Sequence, residues 1–298
     1  MIKTGIITHN NINTSERIMF NVKKRIITAI IVAGLISAAF TFTSCTLNSA
    51  KNNNEGQQIT EDTSITARPE EAHFSFLEHK QKTPDVIQSV DKETIYISTS
   101  VEEASFVAKD RTNRPSAKKI NEVLTKARER SNDVNDRLVD ELDAYLSLEN
   151  ADISVFPWES RVDYDCLRND GKAISVLETV ESYTAGTLTA TSNFSYNFDP
   201  LTGDHINQVF YIAGDKASFD EADDVMYKKL VSKYGEETIS YNNVASSFVE
   251  IAEQCWYFTE GGVKVMFNVG TVADPEVGTL ELEYTKEELP ELAQKYFN

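Results

Sequence analysis

The pattern of apolar and polar positions changes period several times along the chain. Residues 26–44 (IITAIIVAGLISAAFTFTS) form an apolar and small-residue run that no charge interrupts. Residues 46–72 are polar, rich in Asn, Gln, Thr and Glu, with no stripe able to bury a face. Together with Cys45 they read as a disordered tether. Folded patterns begin at residue 73. Ile95-Tyr96-Ile97 and Ser105-Phe106-Val107 centre two short strands. After Pro115 and Ser116, the positions Ile120, Val123, Leu124 and Ala127, then Val134, Leu138, Leu142 and Tyr145, recur at spacings of three and four. That spacing predicts a long helix with one inward stripe. Asn132 and Asp133 predict a break or kink within it.

From residue 152 the period becomes two. Ile153, Val155 and Phe156 begin a predicted strand, and Val162, Tyr164 and Cys166 alternate in the next. Asn169-Asp170-Gly171 is a hairpin signal, and 173–177 continues the sheet. Residues 187–198 (TLTATSNFSYNF) alternate as a half-buried strand should. Asp199-Pro200-Leu201-Thr202-Gly203 is a turn, with Pro presetting φ and Gly supplying the left-handed residue. A helix is predicted over 218–234 with Phe219, Val225, Met226, Leu230 and Val231 inward, and another over 242–253. Strands follow at 255–259, 262–269 and 278–284. The capping box Thr285-Lys286-Glu287-Glu288 starts a last helix through Leu289, Leu292 and Tyr296. Hairpins and helices in separate runs predict an α+β fold of antiparallel sheets packed with helices. The expected organisation is a signal peptide (1–44), a lipidated Cys and tether (45–72), a small α+β subdomain (73–170) and a C-terminal α+β domain (171–298).

The first 45 residues specify export. Lys23, Lys24 and Arg25 precede the apolar run, and small residues lead to Cys45. That order describes a secretory signal with its basic end on the cytoplasmic side. Phe42-Thr43-Ser44-Cys45 resembles a bacterial lipobox, which makes Cys45 a lipid acceptor and tethers the protein to the outer face of a membrane. Two alternatives stand beside it. The 26–44 run is nearly long enough for an uncleaved anchor, and cleavage after Ala39 or Ser44 would release a soluble secreted protein.

Charge narrows the partners. The 298 residues hold 29 Lys+Arg against 47 Asp+Glu, a net of −18. Residues 1–44 contain Lys3, Arg17, Lys23, Lys24 and Arg25 but only one acid, Glu16, so their removal takes the net charge to −22. Such a surface disfavours nucleic acid, whose phosphates need a positive partner. It favours a cationic partner within roughly a Debye length, about 8 Å at physiological salt. The plainer reading is solubility.

Particular motifs in the last third of the chain carry a resemblance. They are Ser182-Tyr183-Thr184-Ala185-Gly186, the stretch from Tyr196 to Gly203, Asn207-Gln208-Val209-Phe210, the stretch from Trp256 to Val263, and Leu280-Glu281-Leu282-Glu283-Tyr284. Their order over 171–298 is similar to the extracytoplasmic domain of anti-sigma-V factors, the lysozyme receptors of Gram-positive bacteria. The same module accompanies some peptidoglycan deacetylases and occurs in many uncharacterised lipoproteins. A fainter likeness to the domain that usually precedes it covers about 90–170. The resemblance implies a non-enzymatic ligand-binding domain with lysozyme as first candidate. It departs from the family at 184–188, where a His usual in the family is absent, and near Asn268-Val269-Gly270. With at most 25 residues before the apolar run, no sigma-binding domain is expected, and no length remains for a deacetylase.

Residues with catalytic potential are sparse, and no catalytic, cofactor or metal site is expected. Beyond the signal there are His73, His79 and His205. Glu70, Glu71, His73, Glu78 and His79 match no standard metal spacing and read as solvated. His205 lacks the context of an activated nucleophile. Cys166 and Cys255 could form a disulfide outside the membrane or stand as two buried thiols. Aromatics cluster at Tyr183, Phe194, Tyr196 and Phe198 and at 256–258, where alternation would send some outward to stack on a sugar or anchor a partner, unless they pack the core. The candidate ligand surface is therefore Tyr183, Tyr196, Asp199 and Trp256, gripping a cationic protein or an envelope glycan. A membrane-anchored receptor for envelope stress is the second reading and a glycan hydrolase the third.

Overall fold

The computed structural model describes residues 72–81, 83–89, 92–206, 219–240, 244, 255–289 and 294–297. The signal, the tether through 71 and most of the predicted 242–253 helix lie outside the described residues. Among the described residues, no helix is long and apolar enough to cross a membrane.

The fold is α+β, with mostly antiparallel sheets packed with helices. The strands are β1 (Phe74–His79), β2 (Asp85–Gln88), β3 (Ile95–Val101), β4 (Glu103–Ala108), β5 (Trp158–Asn169), β6 (Ile174–Thr184), β7 (Thr187–Phe198), β8 (Trp256–Phe258), β9 (Gly262–Phe267) and β10 (Leu280–Thr285). The helices are α1 (Arg114–Leu146) and α2 (Phe219–Tyr234). Among the described residues, the strands form a five-stranded sheet β2-β3-β5-β6-β7, a three-stranded sheet β10-β9-β8 and a ribbon β1-β4. Only the β3–β5 pairing is parallel among these. The 170/171 boundary expected from sequence falls in the turn of the β5–β6 hairpin, so one sheet spans both predicted segments.

α1 lies on one face of the five-stranded sheet. Its stripe Ile120, Leu124, Ala127, Leu138 and Leu142 is buried; each fully buried Leu or Ile is worth about 1.5–3 kcal/mol. The expected break at Asn132-Asp133 does not occur, and the helix runs through it. Both residues point to solvent, while Ser131 just before them bonds inward to Glu178, so the register of the stripe is preserved. The strand expected to begin at Ile153 is instead a 3-10 turn over Ile153–Val155, because Asp152 accepts the Ser154 N–H and caps it. β5 starts only at Trp158.

β7 departs most from its expected half-buried form. Its even positions Phe194, Tyr196 and Phe198 are buried toward α1, as alternation predicts. Its odd positions Asn193, Ser195 and Asn197 are polar and equally buried. Ser195 and Asn197 serve the backbone of β8: Trp256 N donates to Ser195 Oγ at 2.8 Å, and Asn197 Nδ2 donates to Trp256 O at 2.6 Å. Ser175 on β6 accepts the Phe258 N–H at 2.9 Å. Side chains here replace a neighbouring strand and let the three-stranded sheet dock on the larger one without orphaned polar groups.

The other side of the three-stranded sheet closes the main core with Met226 and Leu230 of α2 and with Leu289 and Tyr296. Val225, expected inward, is 45% exposed; it sits one residue before Met226 and so falls off the stripe. The capping box at Thr285 forms, with Thr285 N donating to Glu288 Oε2 at 2.8 Å. It opens a 3-10 turn, Lys286–Glu288. Residues 290–293 of the predicted last helix lie outside the described residues, and 294–296 are helical.

Candidate functional site

Of the residues expected to form a ligand surface, most are interior. Cys45 lies outside the described residues. Trp256 is 1% exposed and belongs to the main core. Tyr196 is buried too, with its hydroxyl between Arg130 Nη2 at 2.7 Å and the Glu178 carboxylate. Burial first, then the Glu178 charge, holds its phenol far above the ordinary value. Glu178 itself is fully buried and accepts from Arg130 Nη2 at 2.6 Å and Ser131 Oγ at 2.7 Å. Arg130 also stacks on Phe194, 4.4 Å from the ring centre. The Asp199 carboxylate accepts the Leu201 and Thr202 N–H groups at 2.9 and 3.2 Å and pairs with Lys295 at 3.1 Å. Its bonds tie the turn, as Asp does at this position. These three side chains hold the fold and offer no surface to a ligand.

Tyr183 is different. The three-stranded sheet covers only one end of the sheet face opposite α1, where Leu177 packs on Cys255, Tyr257 and Met266. Beyond that end, among the described residues, the face is open. Alternation along β5 puts Glu159, Arg161, Asp163 and Asp165 on it, all more exposed than the even positions between them. β6 adds Glu181 and Tyr183, directly across from Arg161 and Glu159. The Arg161 guanidinium lies over the Tyr183 ring, 4.5 Å from its centre. It also pairs with Glu159 at 3.0 Å, and the Tyr183 hydroxyl donates to Glu181 at 2.6 Å. Next to this row Lys80 pairs with the buried Glu102 at 3.1 Å. Burial, then the repulsion of Glu102, raises the Asp163 carboxyl above its ordinary value. Carboxylates outnumber cations across the row, and a stacked aromatic sits in their midst.

Sequence reasoning found Tyr183 through its motif but missed Arg161, Glu159 and Glu181. Alternation alone identifies the outward residues of β5; pairing them with β6 needs the hairpin register, which shifts between Cys166 and Arg168. Among the described residues, no group of His, Cys, Asp and Glu is placed to hold a metal ion. Cys166 and Cys255 are separate free thiols. Burial pushes them up to about 11 and about 12.

His205 pairs with Phe198 in an isolated bridge and lies beside the Phe198 and Tyr196 rings, 5.3 and 6.0 Å between centres. Burial lowers its pKa from 6.5 to about 4. The folded state therefore keeps this imidazole neutral while the unfolded chain takes a proton. Its contribution is present above pH 6.5 and is lost as pH falls toward 4, up to about 3 kcal/mol. Urea unfolding at pH 7 and pH 4.5 should show a smaller loss for His205→Gln than for the parent. Equal losses would remove His205 from the acid response.

No family model matches the chain, and no curated protein matches it. Among solved structures, the chain is similar to a member of the DUF3298 family from Bacteroides fragilis. The identity is 11% and the TM-score 0.50, covering 76% of this chain and 94% of that one. It is also similar to a DUF3298 family protein from Pseudomonas aeruginosa at 13% identity and a TM-score of 0.42, covering 74% and 92%. The first likeness gives a shared fold with a bacterial family of unknown function.

Proposed function

We propose that the chain is a non-enzymatic binding protein of the bacterial cell envelope. It is exported, held at the outer face of a membrane by lipidated Cys45, and grips a protein or glycan ligand through its folded part. A cationic protein is the favoured ligand, with lysozyme the first candidate. The observation that carries this reading is the open sheet face, on which Glu159, Asp163, Asp165 and Glu181 surround the Arg161–Tyr183 stack. Carboxylates steer a cationic partner and set its orientation, while a half-exposed tyrosine provides contact area at low entropic cost. The motif resemblance to anti-sigma-V extracytoplasmic domains and deacetylase accessory domains supports the same ligand class. The length of the 26–44 run favours a second reading, a membrane-anchored receptor; diacylglyceryl-Cys45 in the mass of the native N-terminus would exclude it.

The test is biolayer interferometry of the purified chain against lysozyme. Binding should be measurable at low salt and weaken at least about 10-fold at 0.3 M salt, as screened charges require. Glu159→Lys with Glu181→Lys should abolish it. Absence of binding at low salt would remove lysozyme as the ligand.

A further inference from the structure

α1 ends over a cluster of aromatic rings. Tyr145, in its last turn, packs edge-on against Phe156 and Trp158, 5.7 and 5.4 Å between ring centres, and Tyr96 of β3 meets Phe156 at 5.0 Å. Phe156 and Trp158 are buried, while Tyr96 and Tyr145 are half-buried. Aliphatic side chains around these rings face water. Ile153 is 62% exposed, more than any other large apolar side chain among the described residues, and Leu148 is 47% exposed. Ile87 is exposed at the sheet edge. It stands across from Ile97, which pairs with Trp158, so it lies on the α1 side of the sheet.

The fold holds this patch in place. The Tyr145 hydroxyl donates to Asp152 O at 3.3 Å and accepts the Asp152 N–H at 3.1 Å. The Asp152 carboxylate in turn caps the 3-10 turn that carries Ile153. Leu148 N donates to Tyr145 O at 3.0 Å, and Ala151 N donates to Leu148 O at 3.3 Å. Apolar side chains fixed in this way lose little further freedom on binding.

The surrounding charge is of one sign. From 136 to 155 the chain carries Asp136, Asp140, Glu141, Asp143, Glu149 and Asp152 against one base, Arg137. Over 85–94 it adds Asp85, Asp91 and Glu93 against Lys92. No basic residue stands in the last turn of α1, although the negative end of a helix dipole favours one. Glu141 shares a stripe with Tyr145 and Leu148, four and seven residues on. Its Oε2 is buried with no hydrogen-bond partner among the described residues.

We propose that this patch docks a cationic amphipathic helix of a partner protein, on a second surface apart from the open face of β5 and β6. The helix's apolar stripe covers Leu148 and Ile153. Its Lys or Arg side chains meet Asp143, Glu149 and Glu141 and neutralise the negative end of α1. An amphipathic helix supplies both from one side, with apolar anchors at i, i+3, i+4 and i+7 and cations flanking them.

A synthetic helix of Leu and Lys tests this, titrated into the purified chain with backbone NMR shifts as readout. One control peptide keeps Lys and replaces Leu by Ser; the other keeps Leu and replaces Lys by Glu. The Leu–Lys peptide should shift the amides of Tyr96, Leu148 and Ile153 and bind at least about 10-fold more tightly than either control. Leu148→Ser with Ile153→Ser should remove its advantage over the Ser control. Asp143→Lys with Glu149→Lys should weaken it at least about 10-fold. All four side chains are exposed, so neither variant disturbs the core. No binding, equal affinity for the Leu–Lys peptide and the Ser control, or shifts centred on 159–165 and 179–184 instead would overturn the proposal.

Discussion

Arg130→Met should lower the unfolding free energy by about 3–5 kcal/mol, the usual cost of stripping a buried charge of its partner. The reason is an asymmetry in the pair. The Glu178 side chain is 0% exposed, whereas that of Arg130 is 29% exposed. Without the guanidinium, the carboxylate retains Ser131 and Tyr196 as hydrogen-bond donors but loses its counter-charge. Glu178→Leu should cost less, because the longer Arg130 can bend its head to water. The double variant should recover much of the loss, since a well-packed apolar pair often replaces a buried ion pair at little cost. Urea denaturation of the three variants measures this directly. If Arg130→Met and Glu178→Leu cost the same, the buried carboxylate is not the vulnerable partner.

Gly203→Ala is expected to be nearly as damaging. Gly203 has φ +71, and a Cβ added there would meet the backbone of α1, lying 2.7 Å from Ser116 Cα and 2.9 Å from Ser116 C. The left-handed conformation costs about 1–2 kcal/mol for an alanine, and overpacking against a helix backbone adds roughly 1–3. Ser116 Oγ donates to Leu201 O at 2.7 Å and Lys119 pairs with Asp204, so the turn and the helix start cannot part without losing both. Gly186 provides the control. Its φ is +75, but an added Cβ would find nothing within 4 Å. Gly186→Ala should therefore show only the conformational cost. A thermal melt in which the two variants fall equally would mean that the contact with Ser116 yields freely.

Local signals were legible where one residue type dictates one conformation. The turn at 199–203, the β7 span and the Thr285 capping box all stand where the pattern puts them. Signals failed where a distant element decides. Asn193, Ser195 and Asn197 look like the solvent side of a strand, and only the arrival of β8 makes them interior. Asn132-Asp133 looks like a break, but two polar residues on the outer face of a helix need interrupt nothing. The same distinction governs the candidate site. Tyr196 and Trp256 share the aromatic character of Tyr183, and nothing near them in sequence reveals that α1 and the second sheet cover them. Tyr183 stays half-exposed because the three-stranded sheet ends before it, at Leu177.

The proposed ligand surface is one face of one sheet. Hydrogen exchange of the chain with and without saturating lysozyme addresses it most directly. Added protection is expected over 159–165 and 179–184, with the buried rungs of β7 and β8 unchanged. Bound lysozyme that protects another surface and leaves 159–165 and 179–184 exchanging as before would contradict it.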